Sequence, residues 1–277
     1  MEKSKPTNGT QVLAASRAKD RVDRLDPYGF ERSVDFDYAS YEELMSEYLV
    51  VLTRRSIKWS KLLKGKGKVQ KNVKLKRYVR KGIPNEHRAL IWMAASGAQD
   101  QLEKNPGYYQ SMLEAQHDPK LVETIKTDYY TPAMLGLKAD QEVLGELVKV
   151  KIPRVWQVMS DHNVMWTLVV SRWFICLYID ILPVETVLRI WDCLFYEGSK
   201  ILFRVALTLI HHNQALIEKA QSLPDVCQAF KESVRGPLVD ECHTFMQKIF
   251  NEPGTLSMAT LTKLRTTCRA RIVAEES

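Results

Sequence analysis

The sequence predicts an all-α protein. Apolar residues recur at helical spacings of three and four along most of the chain, and Gly, Pro and Asn residues mark the ends of these stretches. No window of alternating polar and apolar residues is long enough to indicate a β-strand. Hydrophobic residues make up 45% of the 277 residues, which supplies enough apolar surface for a packed core and excludes a chain that is disordered throughout.

The amino-terminal part is expected to hold little regular structure. Residues 1–37 are polar and charged, and we expect them to form a flexible, partly disordered arm. Apolar positions then predict a helix that ends near Lys64, with Ser40 and Glu43 as its capping box. Gly-Lys repeats end this helix, so residues 38–79 are interpreted as a helix followed by a basic linker.

The rest of the chain is expected to be helical, with the main domain over residues 80–220 and a helical extension over residues 221–277. The most hydrophobic stretch, Val164 to Leu182, contains Arg172 and Asp180. Because a charge at the centre of a bilayer is costly, this stretch favours a buried core helix over a membrane span. The predicted helices cover approximately residues 86–96, 108–116, 118–125, 142–150, 164–182, 183–198, 201–220, 239–250 and 257–271.

The net charge of +7 is concentrated in one segment. Thirteen Lys or Arg residues and no Asp or Glu lie between Arg54 and Lys81. Such a segment attracts anions, although a solvated linker explains it equally well. The aromatic residues Trp59 and Tyr78 are isolated, so the segment lacks the aromatic interleaving of single-strand-binding surfaces. We therefore expect an anionic membrane surface as a partner of residues 54–81, and we do not expect nucleic acid.

The sequence lacks the motifs of common enzyme classes, including GxSxG, HExxH, the Rossmann glycine fingerprint and the EF-hand loop. The 5 Cys residues are widely spaced without a CxxC pair, which indicates reduced thiols in a cytoplasmic protein. No apolar run follows the first residues, so no secretory signal is expected. No metal site or cofactor is expected either. The residues alone predict a helical domain without a self-contained catalytic set.

Two segments resemble the signatures of TBC domains, a helical family that activates Rab-type GTPases. Residues 80–92 (RKGIPNEHRALIW) resemble the opening signature, and residues 171–174 (SRWF) with residues 182–198 (LPVETVLRIWDCLFYEG) resemble the closing one. The resemblance implies a Rab-family GTPase as partner, and GTP and magnesium belong to that partner. The signature residues are expected to be scaffold; they are Gly82, Ile83, Pro84, Arg88, Trp92, Pro183, Trp191, Asp192 and Gly198.

The resemblance also implies two side chains that the protein lends to the GTPase. The family donates an arginine from an Ile-x-x-Asp-x-x-Arg motif, which stabilises transition-state charge, and a glutamine from a Tyr-x-Gln motif, which orients the attacking water. In this chain Ile125 and Asp128 match the first motif, but the arginine position is Thr131, and no Tyr-x-Gln motif follows. The simplest explanation is an internal deletion between Asp128 and Tyr129, as an alternative isoform or an incomplete gene prediction would give.

This departure leaves two functions open. The family role is GTPase activation, without hydrolysis by the protein itself, and we expect it to be lost here together with the two side chains. The alternative is a non-catalytic Rab-binding or adaptor module, peripheral on endomembranes. Among possible substitutes for the arginine, Arg154, Arg172 and Arg189, we expect Arg172 to lie in the core helix and Arg189 in the closing signature. The deletion is also expected to expose Trp166, Trp173 and Trp191.

Overall fold

The computed structural model describes residues 37–65, 69–108, 110–111, 129–130 and 133–275. Within these ranges the regular structure is entirely helical, as the sequence predicts. The expected arm up to residue 36 and the predicted helix over 118–125 lie outside the described residues. In chain order the helices are α1 (Tyr38–Leu63), α2 (Val73–Lys81), α3 (Asn85–Ser96), α4 (Ala98–Lys104), α5 (Leu135–Lys151), α6 (Pro153–Asp161), α7 (Trp166–Ile175), α8 (Val184–Glu197), α9 (Lys200–His212), α10 (Gln214–Ile217), α11 (Leu223–Glu232), α12 (Pro237–Asp240), α13 (Cys242–Asn251) and α14 (Met258–Glu275).

The chain divides into two compact units, Met1–Arg54 and Arg55–Ser277. The described part of the first unit is the amino-terminal portion of α1. Its cap is Asp37, whose carboxylate accepts hydrogen bonds from the backbone N–H (3.1 Å) and the hydroxyl (2.6 Å) of Ser40. The predicted capping box at Ser40 is therefore placed too late, because Asp37 supplies the capping oxygen and the helix already begins at Tyr38.

The core of the second unit is built around α5, α8 and α9. Helix α5 packs on α6, α7 and α14, and α8 packs on α2, α3, α9 and α13. Helix α9 is buried along residues 201–210, which fits its nearly continuous apolar sequence. Residues 221–275, expected as an extension, pack into this same unit.

The segment expected to be a basic linker contains helix α2. The Asn72 side chain accepts a hydrogen bond from the Leu75 N–H (2.8 Å) and caps the helix. Leu75 and Val79, one turn apart, are buried against the core. The linker interpretation is wrong for these residues, because two apolar side chains at i and i+4 suffice to fix a short helix on a packed core.

The stretch expected to be one helix over 164–182 is instead a helix followed by a tight turn. Helix α7 ends at Ile175, and Leu177, Tyr178 and Asp180 have left-handed backbone with φ of 49°, 66° and 59°. The buried Tyr178 hydroxyl donates to the Leu202 carbonyl (2.9 Å), which holds the turn against α9. No helix in the described ranges is long and apolar enough to cross a bilayer.

The tryptophans expected to be uncovered by the deletion are largely covered. Trp166 is 7% exposed and Trp173 is 3% exposed. Both pack against Phe230 of α11, at ring-centroid distances of 6.2 and 5.9 Å. The expectation is wrong for these two residues because α11, which the sequence pattern does not predict, lies over them. Trp191 is partly buried.

Other helix bounds also differ from the predictions. Helix α5 is longer than the predicted 142–150, and α6 was not predicted. The predicted helix over 201–220 breaks at Asn213, whose side-chain amide donates to the carbonyls of Leu209 (2.9 Å) and Ser233 (3.3 Å). This side chain competes with the backbone for helical hydrogen bonds, which favours a break.

Candidate functional site

The two signature segments meet at the carboxylate of Asp192 on α8. Its Oδ2 accepts the backbone N–H of Ile83 (2.9 Å), and its Oδ1 accepts Nε1 of Trp92 (3.0 Å) and Nε of Arg88 (3.2 Å). Asp192 is 1% exposed. One carboxylate thus joins the middle of the closing signature to three residues of the opening signature.

The burial, pKa and hydrogen-bond donors of the Asp192 carboxylate are those expected of a residue that stabilises the fold. Burial raises its pKa above the ordinary value, and the Arg88 charge and the Ile83 N–H oppose this rise. The carboxylate accepts hydrogen bonds from three donors of its own chain, and its side chain is fully buried. A buried carboxylate with a cation and two neutral donors is well suited to hold two helices in register.

Gly82 in the opening signature lies directly against Arg189. A Cβ at Gly82 would come 2.7 Å from Arg189 Nε, and the φ of Gly82 is +109°, a conformation that L side chains rarely adopt. Arg189 Nη2 donates to the Arg80 carbonyl (3.0 Å), and Trp59 Nε1 donates to the Gly82 carbonyl (3.0 Å). Glycine is therefore required here by both space and backbone conformation. Pro84 then precedes the first residue of α3.

The remaining signature residues pack or delimit helix α8. Trp92 and Trp191 lie with ring centroids 6.0 Å apart, and both contact Phe195. Pro183 immediately precedes α8, and Gly198, with φ of +83°, ends it. The structure therefore brings the two signatures together around α3 and α8.

A second buried carboxylate, Glu197, lies at the carboxyl end of α8 and was not identified from the sequence. It accepts two hydrogen bonds from Arg80 (2.5 and 2.9 Å) and lies 3.3 Å from Lys76 Nζ and 3.0 Å from Lys200 Nζ. Burial raises its pKa, but the hydrogen bonds from Arg80 and Lys200 outweigh this effect and lower the pKa to about 2. Two partly exposed cations of the basic segment, Lys76 and Arg80, thus pair with a buried carboxylate of the fold.

A third buried carboxylate, Asp140 on α5, also escaped the sequence reading. Arg265 of α14 binds it through Nε (2.6 Å) and Nη2 (2.8 Å), and the Tyr129 hydroxyl donates to it. Burial, reinforced by Asp140, raises the pKa of Tyr129 far above its ordinary value, so the phenol remains a neutral donor. Tyr129, which directly follows the expected deletion, is therefore partly buried and held against the core.

The expected catalytic positions are largely beyond the described residues. Asp128 and Thr131 lie outside them, and Tyr130, between the two, donates its hydroxyl to the Ile175 carbonyl (3.2 Å). Arg172 lies in the core helix α7, as expected, but its side chain is 68% exposed on the outer face of that helix, with Nη2 3.4 Å from Asp180 Oδ2. The side chain of Arg154 is 78% exposed.

Arg189, the third arginine considered as a substitute, is 3% exposed. Its position under Gly82 keeps the guanidinium inside the fold. The part of the chain that the structure describes contains no group of three or more His, Cys, Asp or Glu residues that could hold a metal ion.

Two relatives align along almost the whole chain. The growth hormone-regulated TBC protein 1-A of Danio rerio is 55% identical over 341 aligned positions, covering 96% of this chain and 96% of the relative. The growth hormone-regulated TBC protein 1 of Homo sapiens is 50% identical over 331 aligned positions. This alignment covers 93% of this chain and 98% of the relative. In the Danio rerio alignment, 96% of 277 residues is about 266, so about 75 of the 341 positions have no counterpart in this chain.

Two further comparisons concern the family and the fold. The Rab-GTPase-TBC domain family matches residues 120–217. The crystal structure of the Chlamydomonas flagellar RabGAP TBC domain superposes with a TM-score of 0.61 at 23% identity, covering 82% of this chain and 99% of that one. This likeness supports the all-α fold. Relatives that are about half identical in sequence align along nearly the whole chain. The chain therefore belongs to the TBC-domain family.

Proposed function

We propose that this chain binds a Rab-family GTPase but does not accelerate GTP hydrolysis. The binding half of the proposal is supported by membership of the TBC-domain family and by the assembled signatures around Asp192. The catalytic half is carried by one observation: the motif that begins at Ile125 and Asp128 has Thr131 where the family has arginine. A threonine cannot supply the positive charge that stabilises the transferring phosphoryl group.

An internal deletion is the proposed origin of this loss. About 75 positions of the Danio rerio relative have no counterpart here, which is enough to contain both the arginine and the glutamine motifs. We propose that they belong after Asp128 and that the chain is a shortened isoform. The contacts of Tyr129 and Tyr130 with Asp140 and Ile175 support a junction that the fold tolerates.

The proposed cellular role is regulation of membrane trafficking by competition. A chain that keeps a GTPase-binding surface without the catalytic side chains occupies the GTPase and excludes an intact activator. We propose a cytoplasmic protein that is peripheral on endomembranes, where its basic segment contacts the anionic surface. An adaptor role, in which the same binding brings another protein to the GTPase, is the second candidate.

Single-turnover hydrolysis of GTP by a panel of Rab GTPases tests the proposal. We expect phosphate release at the uncatalysed rate together with retention of a GTP-loaded Rab in a pull-down. The Chlamydomonas RabGAP TBC domain serves as the positive control for catalysis, and an excess of this chain should inhibit an activator of the retained Rab.

A chimera sharpens the test. Inserting the positions of the Danio rerio relative after Asp128 should restore acceleration, and removal of the arginine motif from the insert should abolish it again. Acceleration by the chain itself would overturn the proposal, and Arg154→Ala and Arg172→Ala would then show whether an exposed arginine substitutes. Failure to bind any GTP-loaded Rab would overturn the competitor role.

A further inference from the structure

We infer that the outer face of helix α2 is a docking surface for an anionic lipid bilayer. This α2 face consists of Lys74, Arg77 and Lys81, all exposed. The inference deepens the peripheral location proposed above, since it names the residues that make the contact. It does not require that the GTPase binds.

The α2 face is fixed by packing on the opposite side of the helix. Leu75 and Val79 are 4% and 0% exposed, so the rotation of α2 about its axis is set by the core. Residues at spacings of three and four share one side of a helix, which places Lys74, Arg77 and Lys81 together on the solvent side. The three positive charges are therefore held on one side of a packed helix and do not belong to a solvated linker.

The ion pairs of the fold separate the cations of α2 into two groups. Lys76 and Arg80 both pair with the buried Glu197 carboxylate, which also pairs with Lys200, so these two side chains are engaged within the fold. Lys74, Arg77 and Lys81 have no ion-pair partner among the described residues, and no acidic residue lies between residues 54 and 81. The three exposed charges thus remain available for an external anion.

The shape of the face fits a plane more closely than a nucleic acid strand. A convex helix surface offers no groove that could follow a single-stranded phosphate backbone. The one aromatic residue of α2 is Tyr78, and it packs edge-on against the buried Trp59 at a centroid distance of 5.8 Å, so it is not presented for base stacking. Val73, the first residue of α2, is 77% exposed beside these cations and can enter the headgroup region.

Vesicle sedimentation with the full chain tests this inference. The probes are phosphatidylcholine vesicles with and without phosphatidylserine, and a short duplex DNA. Each Lys or Arg near an anionic bilayer contributes about 1 kcal/mol, so the triple variant Lys74→Gln, Arg77→Gln, Lys81→Gln should weaken partitioning about a hundredfold. Binding by the parent chain should also fall steeply with salt and need phosphatidylserine.

A matched control has the same net charge. Lys219→Gln, Lys231→Gln and Lys263→Gln neutralise three exposed lysines outside the basic segment, and this variant should partition like the parent chain. The inference would be overturned if both triple variants lost vesicle binding equally, or if the parent chain did not bind phosphatidylserine vesicles. Tighter binding to DNA that disappears with the α2 variant would identify a nucleic-acid surface instead. Rab pull-downs with both triple variants measure GTPase binding separately, so a failure of membrane binding can be distinguished from a failure of the proposed function.

Discussion

Arg265 of α14 binds Asp140 of α5 through two hydrogen bonds, of 2.6 and 2.8 Å, across 125 residues of chain. The Asp140 side chain is 2% exposed, and Arg265 also donates to the Ser199 hydroxyl (3.0 Å). Geometry of this kind, with two parallel donors to one carboxylate, is the strong form of an ion pair. It makes the last helix a structural part of the core rather than an appendage.

Arg265→Ala should therefore destabilise the fold strongly. The change leaves the Asp140 carboxylate buried without its cation, and removal of one partner of a buried pair costs about 3–5 kcal/mol. Urea unfolding followed by circular dichroism measures the loss. Lys263→Ala on the exposed side of the same helix is the control, with an expected change within about 0.5 kcal/mol. Similar values for the two variants would show that the pair contributes little.

Asp192→Ala should lower the free energy of unfolding by about 3–5 kcal/mol. It would leave the Arg88 guanidinium, the Trp92 indole N–H and the Ile83 N–H without their acceptor. Asp180→Asn removes the charge of a carboxylate whose side chain is 88% exposed, keeps a residue type that tolerates the left-handed backbone at this position, and should have little effect. If Asp192→Ala unfolds like the parent chain, the carboxylate does not hold α3 to α8.

Gly82→Ala and Gly236→Ala form a matched pair, because both glycines have positive φ, of 109° and 91°. Backbone strain alone costs of order 1–3 kcal/mol at each position. At Gly82 the new methyl group also meets Arg189, whereas nothing lies within 4 Å at Gly236. Overpacking should add about 1–3 kcal/mol at Gly82, measurable as a lower urea midpoint. Equal losses would mean that Arg189 moves away freely.

Glu197 should make the fold sensitive to acid in a defined range. Its pKa is lowered from 4.5 to about 2 in the folded chain, so its contribution is complete above pH 4.5 and is lost as the pH falls toward 2. A shift of this size corresponds to on the order of 3 kcal/mol.

The variant Glu197→Gln isolates this contribution. It should be less stable than the parent at neutral pH, and the two stabilities should converge near pH 2. Chemical unfolding at a series of pH values provides the comparison, with Glu232→Gln, at an exposed site, expected to follow the parent. A constant difference between Glu197→Gln and the parent across this range would contradict the prediction.

Local patterns in the sequence were sufficient to predict the helical class, helix α3 and helix α8 nearly to the residue. They failed where distant residues decide the structure. Helix α2 depends on burial of Leu75 and Val79, which the surrounding charges obscure, and the coverage of Trp166 and Trp173 depends on Phe230. These contacts join residues that are far apart in the chain, so spacing alone could not reveal them.

For the candidate site, too, local sequence patterns predicted some residues, whereas contacts between distant residues could not be predicted. The signature segments led to the prediction that Asp192, Arg88 and Trp92 are scaffold residues, but the hydrogen bonds that join them span about 100 residues and have no local signal. Glu197 and Asp140 were missed because an isolated carboxylate on a helix is ordinarily solvated. Burial of their ion pairs follows only from the packed fold.

The Asp140–Arg265 ion pair also affects when the chain can complete its folding during translation. Helix α5 leaves the ribosome before α14, and its Asp140 carboxylate has no cation from Arg265 until 125 further residues have been translated. Until then the face of α5 that α14 covers is open to water and to chaperones. Stop codons before α14 should therefore yield products that are degraded rather than shorter working proteins.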